Sequence, residues 1–135
     1  MNDFLSKLNK ALRESEGQTL SPEEVYDYIA SRHDVSKFRG TLMPFLKQFD
    51  HFILKDISLY DIDLEQYELD TVKAKEYGAQ YLKSESYPPI VVTPQSGKYT
   101  YEMIDGTHRA NALKSVGLKT VKAYVGQNNL RNTPA

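Results

Sequence analysis

The sequence predicts an α+β fold, a small mixed sheet with flanking helices, preceded by a short helical N-terminal segment. Three observations predict it. Apolar residues recur at helical intervals up to about residue 50, and the period changes from residue 52. Strand and helix patterns then alternate to residue 125. At 135 residues the chain has room for one real core, and its 40% hydrophobic and 26% charged content matches an ordinary globular protein. The expected organisation is a helical extension or cap over 1–50, a main domain over 51–126 and a polar tail over 127–135.

In the front third, Phe4, Leu5, Leu8, Ala11 and Leu12 space an amphipathic helix over residues 3–14, stopped by Gly17. Ser21-Pro22-Glu23-Glu24 is a helix start: a hydroxyl at the cap, proline at the first helical position, and Glu24 placed to close a capping box. Val25, Tyr28 and Ile29 supply its apolar face as far as about Arg32. A third helix is expected over Lys37–Phe49, kinked or divided by Pro44. His33 and His51 fall near helix ends without the carboxylate–histidine spacing of a metal site, and are expected to be solvated or capping.

Phe52–Leu59 reads as a strand, followed by the acidic stretch Asp61, Asp63, Glu65, Glu68 and Asp70. A helix is expected over Leu69–Leu82, ended by Pro88-Pro89, which lead the β-branched strand Ile90-Val91-Val92. Ser96-Gly97 signals a turn, and Lys98–Ile104 alternates as a strand. Asp105-Gly106 breaks it, and Thr107 is placed to cap a helix that buries Ala110, Leu113 and Val116 and stops at Gly117. Val121–Val125 is the last strand. This order implies a parallel crossover over residues 98–125.

Composition excludes several classes of function. With no cysteine there is no disulfide scaffold, thiol nucleophile or cysteine-bound zinc. No apolar run approaches the ~18 residues of a membrane span, and Met1-Asn2-Asp3 does not open a signal peptide, so the expected address is a reducing cytoplasm, with no membrane partner. The net charge of -1 argues against tight duplex binding as the main task. It hides an asymmetry: residues 51–86 carry 4 basic and 8 acidic groups, residues 87–135 carry 6 and 2. An anionic ligand is therefore sought in the C-terminal third.

There, Ile104-Asp105-Gly106-Thr107-His108-Arg109 ends a strand, turns at glycine and opens a helix within three residues. The first N–H groups of such a helix lack internal partners and its dipole is positive, so the corner attracts phosphate. His108 and Arg109 add donors, and arginine can grip two phosphate oxygens at once. A plain turn aspartate is the competing reading of Asp105, and a solvated acidic loop that of residues 61–70. Tyr99, Tyr101 and Tyr124 are expected to be core residues with hydroxyls at the rim rather than base-stacking platforms.

The proline-led strand 88–92, the aromatic strand 99–104, the box Asp105-Gly106-Thr107-His108-Arg109-Ala110-Asn111-Ala112 and the strand 121–125 together resemble the ParB/sulfiredoxin superfamily over roughly residues 52–126. The resemblance implies a ParB/sulfiredoxin-like fold and a stand-alone member, since the partition proteins continue into helix-turn-helix and dimerisation domains. It implies that the box binds nucleotide phosphates through His108 and Arg109 and the backbone of Gly106 and Thr107, with Lys73 near the position of a nucleotide-binding lysine. A phosphoryl-transfer site also needs a hard oxygen ligand for Mg²⁺ or a base: Asp105 beside the box is the better candidate, and Glu65, at the segment where kinase relatives carry a catalytic glutamate, is the other. Thr107 stands where sulfiredoxins carry their catalytic cysteine, which excludes sulfinic-acid reduction, because a hydroxyl forms no thiolate.

The function expected is nucleotide binding, of ATP or another nucleoside phosphate, with Mg²⁺-dependent hydrolysis or phosphoryl transfer in which Asp105, His108 and Glu65 take the catalytic roles. The alternatives are a DNA-binding protein or small nuclease of phage or plasmid type, and a non-catalytic module meeting a protein partner through residues 1–50. Arg109→Ala is expected to abolish nucleotide binding while leaving the fold intact. The whole reading requires an open corner, with the guanidinium not locked into an internal ion pair.

Overall fold

The computed structural model describes residues 17–64, 71–84 and 86–128. The expected helix over 3–14 therefore lies outside the described residues, as do Glu65, Glu68 and Asp70. The chain divides into two compact units, one of residues 1–55 with 126–135 and one of residues 56–125. Among the described residues, five strands hydrogen-bond in the order β1-β2-β5-β3-β4, a mixed sheet in an α+β fold. No described helix is long and apolar enough to cross a membrane.

In the first unit, β1 (Thr19–Leu20) pairs antiparallel with β2 (His51–Ser58), with Thr19 opposite Ile53 and Leu20 opposite Phe52. Helix α1 (Pro22–Ala30) begins as its sequence dictates. The Ser21 hydroxyl accepts from the Glu24 N–H at 3.1 Å, and the Glu24 carboxylate accepts from the Ser21 N–H at 3.0 Å. Val25, Tyr26 and Ile29 form its buried face. The expected helix over 37–49 is shorter: a 3₁₀ turn at Ser36–Phe38 leads into α2 (Arg39–Leu46), which contains Pro44 and ends two residues after it. Phe45, Phe49 and Phe52 stack edge-to-face at 6.0 and 5.7 Å.

Along β2 the buried positions are Phe52 and Leu54, then Ile57; Leu59 follows just beyond its end. The alternation slips by one residue around Lys55-Asp56, where the first unit gives way to the second. The second unit continues with a 3₁₀ turn at Leu59–Asp61, and then α3 (Thr71–Ser84), β3 (Ile90–Pro94), β4 (Tyr101–Asp105), α4 (Thr107–Ser115) and β5 (Thr120–Gln127), the last leaving the unit at Gly126. Gly78 of α3 lies so close to α4 that a Cβ there would fall 2.3 Å from the Ala112 carbonyl oxygen.

Two strand expectations are corrected. The strand expected from Lys98 begins at Tyr101, because the Gln95 N–H donates to the Thr100 carbonyl at 3.0 Å and closes a wider hairpin loop. The parallel pair is not β4 with β5. Strand β3 runs parallel to β5, with Val91 opposite Tyr124, and antiparallel to β4 on its other side. A hairpin reverses the chain between β3 and β4, so the strand that follows α4 returns in the direction of β3 rather than that of β4.

Candidate functional site

The corner is built by a bulge, a glycine and a buried arginine. Opposite β3 the register of β4 shifts: Val92 faces Met103 but Val91 faces Asp105, leaving Ile104 as the extra residue. Asp105 ends the strand almost fully buried, at 7% exposure. Gly106 follows with φ +110° and serves as the N-cap of α4. A Cβ at this position would lie 2.5 Å from Cγ2 of Ile90 and 2.9 Å from Nη2 of Arg109, so both conformation and space demand glycine. Thr107, expected as the cap, is instead the first helical residue, and no side chain caps the helix.

The first intrahelical bond runs from the Ala110 N–H to the Gly106 carbonyl at 2.9 Å. The N–H groups before it therefore have no partner within the helix, and the first turn holds no acidic residue. His108 is exposed and Thr107 half-buried. Asn111 donates from Nδ2 to the Thr107 carbonyl at 2.9 Å, fixing the inner side of that turn.

Arg109 does not point outward. It is 5% exposed, and Nη2 donates to Asp105 Oδ2 at 3.1 Å and to the Pro89 carbonyl at 3.3 Å. Its Nε is buried without a hydrogen-bond partner. The guanidinium thus ties the residue before β3, the end of β4 and the first turn of α4 together at one nitrogen. The charge of Arg109, expected to meet phosphate, is here met by the carboxylate of Asp105, and the same ion pair holds Asp105 beneath the corner. Among the described residues no group of three histidine, aspartate or glutamate side chains is placed to hold a metal ion.

The other candidates lie on other elements or outside the described residues. Lys73 is exposed in the first turn of α3, and Glu65 falls outside the described residues. Tyr124 is buried, with its phenol pushed above the ordinary value by burial, while Tyr99 and Tyr101 are half-buried. The sequence reading missed the bulge at Ile104 and the inward turn of Arg109. The signal available for the second was an aspartate four residues ahead of an arginine across a glycine.

The chain belongs to the ParB N-terminal domain family, which matches residues 63–134. No curated protein sequence matches it. Among solved structures it is similar to sulfiredoxin from Arabidopsis thaliana, at 23% identity over 56% of this chain and 86% of that one, with a TM-score of 0.45. It is also similar to the C-terminally truncated chromosome-partitioning protein ParB from Caulobacter crescentus complexed with CTP-γ-S, at 18% identity over 56% of this chain and a TM-score of 0.46. The same partition protein complexed to the centromeric parS site matches at 20% identity over 56% of this chain, with a TM-score of 0.41. This chain spans 45% and 40% of those two ParB chains.

Proposed function

We propose that this ParB N-terminal domain protein binds a nucleoside di- or triphosphate at the corner 106–108. The observation that carries the reading is the glycine N-cap of α4. No side chain caps it by a hydrogen bond, so the leading N–H groups have no partner within the helix, and exposed His108 adjoins them. The binding groups are the backbone of Gly106 and Thr107 and the side chain of His108. Lys73 is a proposed further contact on family grounds alone. The ion pair with Asp105 withdraws the Arg109 guanidinium that the sequence reading set against phosphate, so the narrower site proposed here rests on the leading backbone N–H groups and His108 without that charge. Hydrolysis, if the protein performs it, falls to His108 and to Glu65.

The test is a thermal-shift screen of ATP, ADP, CTP and GTP with and without Mg²⁺, CTP being the nucleotide whose analogue sits in the Caulobacter protein. A ligand at 100 times its Kd adds about 2.7 kcal/mol to the folded state, a rise of several degrees in Tm. At least one nucleotide is expected to give it, and His108→Ala to weaken the effect at unchanged Tm without ligand. No shift from any nucleotide at millimolar concentration rejects the reading. Phosphate release measured on the same samples decides whether binding proceeds to hydrolysis.

A further inference from the structure

Helix α3 shows more apolar surface than its seam with α4 covers. Three of the five exposed large apolar residues among those described, Val72, Tyr77 and Leu82, are on this one helix. Gly78 is buried against α4, with Ala74 and Tyr81 half-buried on the same side. Val72, Lys75, Ala79 and Leu82 follow one another at spacings of three, four and three residues. In a continuous helix those positions share one face, and all four residues are exposed. The spacing is that of the a and d positions through which one helix meets another. Glu76 and Lys83 each follow a d-type position and flank the stripe on the side away from Gly78. Both are exposed, and neither forms an ion pair among the described residues. Tyr77 falls across the Gly78 seam and is not part of the stripe.

The order of residues along the stripe matches itself when turned end for end. In an antiparallel pair of α3 helices about a two-fold axis, Val72 of one copy lies against Leu82 of the other, and Lys75 against Ala79. The small Ala79 leaves room for the Lys75 stem, which carries its ammonium group out to water along the seam. The flanking charges complement each other in the same arrangement. Glu76 of each copy comes beside Lys83 of the other, two ion pairs of the kind that fix partner and orientation in paired helices. A parallel pair would set Lys75 against Lys75 and leave that charge unanswered. We propose that this face of α3 is a self-association surface, on which two copies of the chain pair their α3 helices antiparallel. The contact is isologous, so it closes at two copies. One Val–Leu layer at each end makes it a small and weak contact, formed where copies are concentrated. It uses no residue of the corner 106–108 and stands or falls apart from the nucleotide reading.

The test is sedimentation velocity of the full chain, without nucleotide, from micromolar to millimolar concentration at low salt. The wild type is expected to pass from monomer to dimer and no further, and Leu82→Glu to remain monomeric throughout. Glu76→Lys and Lys83→Glu each weaken the dimer about two- to thirtyfold, the loss of two exposed ion pairs. The double variant, which exchanges the two charges, restores the wild-type Kd. Orientation is read by cross-linking. The chain has no cysteine, so introduced thiols are the only ones present. Val72→Cys mixed with Leu82→Cys is expected to form a mixed disulfide on mild oxidation, and neither variant to cross-link with itself. All these side chains are exposed, so the Tm of each reduced variant at micromolar concentration stays at the wild-type value and a folding defect is told apart from lost pairing. A monomer at every concentration overturns the proposal. So does a dimer that Leu82→Glu leaves intact, a charge exchange that fails to restore affinity, or Val72→Cys cross-linking to itself, which requires a parallel pair.

Discussion

Arg109 occupies the third position of α4, where a positive side chain opposes the helix dipole. What makes the position tolerable is Asp105, whose carboxylate lies on the same side of the corner at 3.1 Å. Both groups have left water, so neither is stable without the other: removing one partner of a buried pair costs about 3–5 kcal/mol. Arg109→Ala and Asp105→Ala are therefore each expected to destabilise the protein by about that amount in urea titrations, with Cm falling at similar m. The double variant should lose less than the two losses added together. A single Arg109→Ala loss under about 1 kcal/mol would mean that the pair does not hold the corner. This replaces the expectation that Arg109→Ala spares the fold. The strand–glycine–helix turn was legible, because Asp-Gly after an alternating run and before an Ala/Leu-spaced run has few other meanings. The direction of Arg109 was not. Local spacing places its Cα in the first turn, but the bulge at Ile104 decides that Asp105 faces inward to receive it.

The helices and strands differ in how much of each was written locally. Helix α1 was readable to within a residue or two at each end, because Ser21, Pro22 and Glu24 act on their own backbone. Ser21→Ala is expected to cost about 1 kcal/mol, with a lowered Tm as the readout. Helix α3 was readable as a helix but not as a partner of α4. Its Gly78 looks like a flaw in a 14-residue helix, since glycine gives up about 1 kcal/mol of propensity relative to alanine. The structure explains it: a Cβ would be 2.3 Å from the Ala112 carbonyl oxygen and 2.7 Å from Val116 Cγ1. Backbone cannot rotate away as a side-chain tip can, so α3 and α4 would have to separate. Gly78→Ala is therefore expected to destabilise by about 1–3 kcal/mol despite the better propensity, and Gly78→Val by more. A Tm raised by Gly78→Ala would show that the close approach is not required. Strand pairing was the least legible. Alternation marks residues 98–104 and 121–125 as strands, but which strand lies parallel to which depends on β3, which begins eleven residues before β4 and thirty before β5.

Across the whole chain, the segment of excess acid and the segment of excess base read from the sequence meet in the second unit. Asp56 lies 4.0 Å from Lys122, and Tyr87, close by, accepts the backbone N–H of Lys122 on its phenol oxygen at 3.1 Å. Burial pushes the Tyr87 phenol above its ordinary value, the bond from Lys122 opposes that rise, and the negative charge of Asp56 adds to it. Burial pushes Tyr124 the same way. A phenol that ionises later in the folded protein keeps its proton where the unfolded chain has begun to lose one. Below about pH 10 both states are protonated and the stabilisation is complete. As pH rises past that point the unfolded state binds fewer protons, and stability falls until the folded phenols have ionised too. The expected result is a Tm flat from neutrality to about pH 9 and declining above about pH 10. Tyr87→Phe separates the two contributions of this residue. It leaves the Lys122 N–H without its acceptor, which lowers the neutral-pH stability by about 1 kcal/mol, and it removes one titrating group, which makes the alkaline decline shallower. A decline as steep in Tyr87→Phe as in the wild type would place the alkaline sensitivity elsewhere, in Tyr124 or in the exposed lysines.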